Sequence, residues 1–509
     1  MFKELLTLRD EEFTTPQDFR IARPIGQNKF NEVFHEVLYD TLPIVLHQDD
    51  DCDGYVCVVE FREVIEALNP NKQVYVYIPP KKTHGVDEDF VKFIQDKYPN
   101  GCHTIVTDSS TDCVEVLTKL KQFGKVIHID HHISSNENQL YEICDYHSNC
   151  RYEESPQFHN LSAGFYCYLH LACYCMEKTY IGSSFLETQF TLATLSIVSD
   201  ICDLKCDYNR SIVKQYMNTS NQHELLECFS DKYTKYNIYF LAFKVAPKIN
   251  MLFRLRFISY LEKLHTVNNL QALIDAINGI YRNYKFVVEQ SLSYLEVKDF
   301  DKFITTDISH INTLYPMFDG HVSNFTGWYA NKLSQMFIKP CLVTCDVGDS
   351  IVKGSARDMT EQNVYNILSN LDFIDGGGHP NAYGFKCNVN ELGNLNSHFY
   401  YGLEGKVNIT TDTIPISNLY EIEQIAKVGE LMRFAEYNDY TINEKIGFTY
   451  RVKHSDVIEN YPNRSIIKNN NFKIISFDAE LKAGDLVKLI PDNQLNKIQL
   501  IANIIERGA

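Results

Sequence analysis

Four short apolar runs of five or six residues divide the N-terminal part of the chain and constrain its fold more than any other feature. Segments with helical character, such as 54–67 and 111–123, lie between the runs. The runs are LPIVLH at 42–47, QVYVYI at 73–78, HTIVT at 103–107 and KVIHI at 125–129. Short apolar strands that alternate with helices are typical of a parallel α/β sheet. The sequence therefore predicts such a sheet, with functional residues at the carboxyl ends of its strands.

The length and patterning of the rest of the chain predict further domains, because 509 residues are too many for one hydrophobic core. Residues 161–200 predict two buried helices, and an amphipathic pattern without proline runs from 270 to 295. We predict a parallel-sheet domain at 1–265, a connector helix at 266–300, a smaller second α/β domain at 301–404 and a β-rich module at 405–509, whose composition is compatible with an OB-like barrel.

The composition indicates a globular protein with reduced thiols. The net charge of −18 does not favour nucleic-acid binding through the overall field, so the acidic side chains are either metal ligands or solvated surface. Fifteen scattered cysteines without a CxxC pair argue against a zinc ribbon or a disulfide scaffold. The charged start, MFKELLTLRDEEF, and the lack of a long apolar run predict a cytoplasmic protein with no membrane partner.

Acidic and imidazole side chains follow the first apolar run. The run ends at His47, and Asp49, Asp50, Asp51 and Asp53 come directly after it. Four carboxylates so close together repel one another unless cations neutralise them. Carboxylate-rich sites suit Mg²⁺ or Mn²⁺, and an imidazole favours Mn²⁺. The alternative interpretation of this cluster is a solvated acidic loop.

The third and fourth runs also end at residues that suit a metal site. Asp108 follows one, and Asp130, His131 and His132 follow the other. A single Asp after a strand often caps a helix, but an Asp followed by two histidines is uncommon. One imidazole can bind a metal while Asp130 orients a ring, and the other can donate to a phosphate oxygen. Asp200 lies in an apolar helical segment, where it needs a metal or an arginine as its partner.

Together these residues resemble the DHH superfamily of two-metal phosphoesterases. The superfamily pattern is a D-x-D-G type motif, a strand-end Asp, an Asp-His-His triplet and a more distant Asp. The resemblance implies two divalent cations, Mn²⁺ or Mg²⁺, with Asp108 as the bridging ligand. The implied metal ligands are His47, Asp51, Asp53, Asp108, His131 and Asp200. We assign catalytic roles to Asp49, Asp130 and His132, with His132 facing the scissile phosphate.

Five further segments are similar to the RecJ-type single-strand exonucleases of that superfamily. They are YIPP at 77–80, LSAGF at 161–165, APKINMLFRL at 246–255, the KGSAR turn at 353–357 and the Gly-rich loop GGGHPNAYGF at 376–385. The last matches the DHH-associated domain. The implied substrate-binding residues are Asn250, Arg254, Ser355, Arg357, Gly376, Gly377, Gly378 and His379. The arginines and the serine would bind a terminal 5′ phosphate, and the loop would present backbone N–H groups. Structural salt bridges and a tight turn are the alternatives.

The resemblance implies a RecJ-like 5′→3′ exonuclease that acts on single-stranded DNA, with a replication or repair protein as a further partner. An enzyme on short oligonucleotides or cyclic dinucleotides is the alternative, which His47 and the net charge of −18 favour. A non-catalytic DHH scaffold protein is a third hypothesis. The complete set of implied metal ligands argues against it.

Overall fold

A computed structural model gives the architecture of the chain as two units, which divide between Arg282 and Asn283. It describes residues 19–81, 85–134, 136–202, 206–337, 339–358, 362–379, 382–403, 413–416, 447–453, 456, 458–461, 464–468, 472–477, 480–492 and 498–506. All fifteen cysteines are free thiols. No helix in the described ranges is both long and apolar enough to cross a membrane.

The first unit contains a five-stranded sheet with the strand order β2-β1-β3-β4-β5. The strands are β1 (Ile44–His47), β2 (Val74–Tyr77), β3 (His103–Thr107), β4 (Val126–Asp130) and β5 (Tyr146–Asn149). Every neighbouring pair is parallel. Strands β1, β3 and β4 are buried along their whole length, which explains why their sequences are continuous apolar runs. The predicted parallel α/β sheet is confirmed, and β5 is an additional strand that the pattern did not predict.

Helices cover the two faces of this sheet. On one face, apolar side chains such as Phe90, Leu117 and Leu140 pack on Val45. On the other, Phe30 and its neighbours form an aromatic cluster. The helices are α1 (Gln27–Tyr39), α2 (Cys52–Leu68), α3 (Glu88–Lys97), α4 (Val114–Leu120), α5 (Glu137–Ile143), α6 (Ala163–Lys178), α7 (Ser183–Ser199), α8 (Asp207–Asn218), α9 (Glu224–Phe229), α10 (Ala246–Arg254), α11 (Ile258–Thr266) and α12 (Leu270–Ser291). The two buried helices expected within 161–200 are α6 and α7.

The long helix α12 spans Leu270–Ser291, and a short 3-10 turn at Leu292–Tyr294 follows it. It is therefore shorter than the connector helix predicted over 266–300. The division between the two units falls inside this helix.

The second unit contains a six-stranded sheet with the order β10-β11-β9-β8-β7-β6. Its strands are β6 (Lys298–Asp299), β7 (Ile304–Asp307), β8 (Cys341–Asp346), β9 (Ile351–Arg357), β10 (Ile374–His379) and β11 (Ala382–Asn388). Its helices are α13 (Ile311–Leu314), α14 (Thr326–Phe337), α15 (Val364–Leu368) and α16 (Leu392–Gly402). Only β7 and β8 pair in parallel within this sheet of the described chain.

Two glycine-containing segments of this unit differ from their prediction. KGSAR, expected as a turn, lies in strand β9, and Gly376–Gly378, expected in a loop, lie in strand β10. Strand β11 pairs antiparallel with both of them, Gly384 facing Gly377 on one side and Ser355 on the other. Ladder hydrogen bonding between neighbouring strands therefore overrides the turn tendency of these glycines.

The C-terminal residues form a seven-stranded sheet with the order β12-β13-β17-β18-β16-β15-β14. The strands are β12 (Thr413–Ile416), β13 (Gly447–Arg451), β14 (Ile458–Tyr461), β15 (Arg464–Lys468), β16 (Phe472–Phe477), β17 (Leu486–Asp492) and β18 (Ile498–Glu506). The β-rich module predicted there is confirmed. Its OB-like character stays a prediction.

Replacing Gly124 by Ala should destabilise the first sheet. A Cβ atom at Gly124 would lie 2.2 Å from the carbonyl oxygen of Cys102, and that backbone cannot move without disturbing the start of β3. We expect a loss of about 1–3 kcal/mol, measured as a lower thermal unfolding midpoint. Gly279→Ala in helix α12 is the control, because its Cβ has only Arg282 within 4 Å, at 3.9 Å, and alanine there should stabilise by about 0.5–1 kcal/mol. Equal midpoints for the two variants would contradict the close approach.

Candidate metal centre

The carboxyl ends of β1, β3 and β4 lie side by side, and the acidic residues of the sequence follow them. His47 pairs with Val106 and Thr107 with Ile129 in the parallel ladders. The backbone N–H of Asp108 then donates to the carbonyl of Ile129 at 3.0 Å. The edge of the sheet predicted to carry the site is therefore the edge where these side chains meet.

Three groups of side chains within the described residues place possible ligand atoms within 4.8 Å of one another. Asp108 belongs to two of the groups and His131 also belongs to two. The groups are Asp49, Asp51 and Asp108; Asp53, His131 and Asp200; and Asp108, Asp130, His131 and His132. The structure thus brings together every residue predicted as a metal ligand except His47, and adds the three residues assigned catalytic roles.

His47 is not a member of these three groups of described residues, and its ring lies in an aromatic environment. Its ring centroid is 4.9 Å from that of Phe90 and 5.8 Å from that of Tyr77. Burial lowers the pKa of His47 to about 3, so the ring is neutral. Among the described residues its Nδ1 has no hydrogen-bond partner. Its role as a metal ligand stays a prediction.

Helix N-termini hold two of the carboxylates. Asp51 caps α2, and its carboxylate accepts hydrogen bonds from the N–H groups of Asp53 at 2.8 Å and Gly54 at 3.1 Å. Asp53 itself accepts from Ala163 at 3.0 Å and Gly164 at 2.8 Å in the first turn of α6. Helix N-termini stabilise negative charge, which explains how the buried Asp53 and the exposed Asp51 can lie together at the sheet edge.

The two glycines at these positions allow close approach. A Cβ atom at Gly54 would lie 2.7 Å from the Cβ of Asp49, and one at Gly164 would lie 2.8 Å from the Oδ1 of Asp53. Gly54 has no positive φ, so close packing explains the glycine at this position. The LSAGF segment thus provides the N-terminus that holds Asp53.

Asp108 adopts an unusual backbone conformation. Its φ is +60° and that of Ser110 is +80°, a left-handed region that is unfavourable for residues other than glycine. The Ser110 hydroxyl accepts a hydrogen bond from Val86 N at 2.9 Å, and a Cβ on Gly85 would lie 2.6 Å from that hydroxyl. The loop after β3 is therefore packed tightly, with the Asp108 carboxylate buried.

His131 and Asp108 approach each other through two atoms that are both hydrogen-bond acceptors, Nε2 of the ring and Oδ1 of the carboxylate. The Nδ1 of His131 lies 3.2 Å from the carbonyl oxygen of Leu161, so Nδ1 carries the proton because a carbonyl only accepts. Burial lowers the pKa of His131, and the neutral ring has a lone pair on Nε2. That atom lies 3.2 Å from Asp108 Oδ1, which accepts no hydrogen bond among the described residues. Two lone pairs at this distance repel unless a cation binds to both atoms or the Asp108 carboxyl group, whose pKa is raised, carries a proton.

Asp130 and His132 form a second kind of pair. Asp130 Oδ1 lies 2.8 Å from His132 Nδ1 and accepts from the N–H of His131 at 2.7 Å. Burial favours the protonated acid, but the hydrogen bond and charge of His132 hold the pKa of Asp130 well below its ordinary value. Burial also lowers the pKa of His132, yet Asp130, Asp49 and Asp200 outweigh it and raise the pKa to about 9. With 54% of its side chain exposed, His132 is a protonated donor open to a substrate.

The environment raises the pKa of the remaining carboxyl groups and so disfavours their charged forms. Burial first, and then the neighbouring carboxylates, raise the pKa of Asp49, Asp53 and Asp108 well above the ordinary value. Burial and the charge of Asp51 also raise the pKa of Asp200, although His131 opposes the change. Divalent cations would remove this repulsion. The donor set of carboxylates and one imidazole fits Mn²⁺ or Mg²⁺.

The APKINMLFRL segment supports the first acidic loop. The side-chain oxygen of Asn250 accepts a hydrogen bond from the N–H of Cys52 at 2.9 Å. This side chain therefore contacts the protein backbone. Arg254 is exposed in the last turn of α10. The substrate-binding roles of both stay predictions.

Arg256 is a residue that the sequence reasoning missed. Its Nη1 lies 2.6 Å from Asp50 Oδ1, with 4% of each side chain exposed, and it also contacts the carbonyl of Pro79. The pair links the acidic loop to the segment after β2. Asp50 could have indicated this arginine, because a buried acid requires a cation as its partner. Arg256 comes directly after the APKINMLFRL segment.

In the second unit, Ser355 and Arg357 lie next to the first turn of α14. The hydroxyl groups of Ser355 and Thr326 are 2.9 Å apart, and Arg357 Nη1 donates to its neighbour's carbonyl, Ala356 O, at 2.8 Å. A Cβ atom at Gly327 would lie 2.6 Å from Arg357 Nη2. Thr326 and Gly327, which the sequence did not single out, therefore complete a polar cluster at a helix N-terminus.

The glycines of β10 have different environments. A Cβ atom at Gly376 would lie 2.3 Å from the carbonyl of Gly384, whereas one at Gly377 would meet nothing within 4 Å. Gly378 pairs with Tyr383, and His379 ends the strand opposite Ala382. The side chain of His379 lies outside the described residues. Gly376 is thus explained by strand packing, and the phosphate-binding roles predicted for the four residues stay predictions.

Solved structures define the fold class. RecJ from Thermus thermophilus in complex with Mn²⁺ is similar with a TM-score of 0.69 at 15% identity, over 97% of this chain and 74% of that chain. The same protein with Mg²⁺ gives 0.62 at 15% identity, over 96% and 72%. An exonuclease RecJ bound to manganese gives 0.57 at 18% identity, over 75% and 96%.

These similarities show that the chain has a mixed α/β fold. Within that class the fold is RecJ-like, as the sequence motifs predicted. No family model matches the chain, and no curated protein matches it in sequence.

Divalent cations should stabilise the protein through Asp108. At a cation concentration about 100 times the dissociation constant, binding stabilises a native state by about 2.7 kcal/mol. We expect Mn²⁺ to raise the thermal unfolding midpoint of the wild type. In Asp108→Asn, most of this rise should disappear. Asparagine tolerates the left-handed backbone, so the change removes charge without adding backbone strain. Asp96→Ala, an exposed acid on α3, should keep the full effect. An undiminished shift in Asp108→Asn would contradict the assignment.

Proposed function

We propose that the chain is a two-metal phosphodiesterase, and specifically a RecJ-like 5′→3′ exonuclease on single-stranded DNA. The observation that carries the proposal is the approach of Asp108 Oδ1 to the unprotonated Nε2 of His131 at 3.2 Å. The carboxylates around this pair have raised pKa values, so the site favours cations. The RecJ-like fold supports a nuclease within the DHH class.

The proposed ligands are divided between two cations. Asp51, Asp53, Asp108, His131 and Asp200 are the candidates, and Asp108 and His131 each belong to two of the three groups of possible ligands. When bound, the cations would polarise the phosphate and lower the pKa of water at the site. Ordinary hydrolysis of a phosphodiester then requires the chain to orient the substrate and to balance the charge that develops on its oxygens.

His132 is the residue suited to balance that charge. Its Nδ1 is fixed by Asp130 at 2.8 Å, which fixes the direction of the ring, and its pKa of about 9 keeps it protonated at neutral pH. Its Nε2–H would donate to a phosphate oxygen. Asp49 contributes to the negative charge that keeps His132 protonated.

A 5′-phosphate anchor in the second unit would give the enzyme its polarity. Arg357, Ser355 and Thr326 provide a guanidinium and two hydroxyl groups at the first turn of the twelve-residue helix α14. Phosphates bind well at helix N-termini and to planar guanidinium groups. The cluster would hold the terminal phosphate of the strand.

Digestion of labelled substrates tests the function. We would compare 5′-phosphorylated single-stranded DNA, double-stranded DNA, RNA and a cyclic dinucleotide, each with Mn²⁺ and with Mg²⁺. We expect single-stranded DNA to be degraded fastest, with mononucleotides released from the 5′ end. Faster turnover of the cyclic dinucleotide would favour the small-substrate alternative. No hydrolysis of any substrate, with cation binding intact, would contradict a phosphodiesterase.

Arg357→Ala should weaken the enzyme mainly on 5′-phosphorylated strands. Loss of a charge-assisted, bidentate contact costs about 1.5–3 kcal/mol, which corresponds to about a 10- to 150-fold lower kcat/KM. The loss should be much smaller on 5′-hydroxyl strands, which lack the contact. Lys298→Ala, an exposed cation in the same unit, controls for general electrostatics at fixed salt. Equal losses on the two strands would exclude the anchor.

A further inference from the structure

A chain of hydrogen bonds runs through the first unit to the loop that carries Asp108. It begins at Glu137 in α5, whose Oε1 lies 2.8 Å from Nε2 of His147. The Nδ1 atoms of His147 and His128 are 2.9 Å apart. His128 Nε2 lies 2.7 Å from the carbonyl oxygen of Ser109, the residue after Asp108.

The donors and acceptors fix the protons in this chain. Ser109 O only accepts, so His128 Nε2 carries a proton. The two Nδ1 atoms share one proton, because two N–H groups at 2.9 Å would clash. A third proton lies between Glu137 and His147. Glu137 and the two rings therefore carry three protons, one in each of the three hydrogen bonds. The total charge of the three side chains is zero.

The two imidazoles are buried and rigidly packed. Their ring planes are 11° apart with centroids at 4.9 Å, and Tyr141 packs edge-on against His147 at 4.7 Å. His128 and His147 are both buried in strands β4 and β5, where they are opposite each other in the ladder. A buried ring nitrogen without a partner costs about 1–3 kcal/mol, so each link depends on the next.

The Ser109 carbonyl, at the end of this chain of hydrogen bonds, lies in a strained part of the loop after β3. Ser109 is flanked by Asp108 and Ser110, both with left-handed φ values, each of which costs about 1–2 kcal/mol. A hydrogen bond to the intervening peptide opposes relaxation of that backbone. Such relaxation would move the Asp108 carboxylate away from His131.

We infer that Glu137, His147 and His128 are positioning residues that hold Asp108 in place for cation binding. The inference rests on the proposed function in one respect, that Asp108 binds a cation. None of the three belongs to the groups of possible ligands among the described residues. They act through the Ser109 carbonyl, as hydrogen bonds from outside the ligand set commonly orient the groups that bind a metal.

Imidazole NMR tests the hydrogen-bond chain without cations or substrate. With ¹⁵N-labelled histidine, we expect one Nε2–H signal that is protected from exchange and disappears in His128→Gln. We also expect an Nδ1 proton that correlates with both His128 and His147. An unprotonated Nε2 in wild-type His128 would overturn the inference, whether or not the protein binds metal.

Manganese affinity tests the positioning role. We would titrate wild type, Glu137→Ala, Glu137→Gln and Glu142→Ala with Mn²⁺ and follow the free ion by EPR. Loss of a supporting hydrogen bond around a metal site commonly costs about 10- to 100-fold in affinity. We expect about tenfold weaker binding in Glu137→Ala. The amide of Glu137→Gln donates to His147 Nε2 and preserves all three links, so its affinity should stay close to that of wild type.

Glu142→Ala is the matched control, because Glu142 is an exposed acid on the same helix and should not change the affinity. Mn²⁺ binding by wild type with no loss in Glu137→Ala would overturn the inference. So would equal weakening in Glu137→Ala and Glu137→Gln. If the wild type bound no Mn²⁺, the proposed function and the positioning role would fail together, and the NMR result would still decide whether the hydrogen-bond chain exists.

Discussion

Repulsion among buried carboxylates at one edge of the parallel sheet is the constraint on which the first unit depends. Strands β1, β3 and β4 end side by side, and the acids that follow them are brought within a few ångströms of one another. Burial and mutual repulsion raise the pKa of Asp49, Asp53 and Asp108. Much of the surrounding structure offsets this repulsion, with helix N-termini at Asp51 and Asp53 and an imidazolium beside Asp130. The remaining repulsion is what divalent cations would remove.

The supports of this site come from distant parts of the first unit. Asn250 holds the backbone of Cys52, and Arg256 forms a buried ion pair with Asp50. The Ser109 carbonyl is held through β4 and β5. Each support contacts the backbone or an acid of a loop, so the loops of the sheet edge are fixed although they carry unfavourable charge and left-handed residues. A site that must keep like charges together needs such a framework before any cation arrives.

The two candidate clusters have different physical bases. The cluster at the sheet edge consists of acceptors, and it suits cations. The cluster of the second unit, around Ser355, Arg357 and Thr326, consists of donors at a helix N-terminus, and it suits an anion. A nuclease that grips a terminal phosphate requires both kinds of site. The chain has a net charge of −18 and is nevertheless proposed to act on a polyanion. The two statements are compatible because local hydrogen-bond donors, rather than the overall electric field, would contact the phosphate.

The sequence by itself determined the parallel sheet, the buried pair α6 and α7, and the residues that meet at the strand ends, because apolar runs specify buried strands and parallel strands align their carboxyl ends. It did not determine the environment of His47, whose ring packs against Phe90 and Tyr77. Pairing with β11 made strands of the segments predicted as a turn and a loop. The partners of Asp50 and Ser109 are distant in sequence, and no local pattern encodes them. Only the tertiary structure decides such contacts, because burial makes an unpaired charge or carbonyl costly and the fold selects which residue satisfies it.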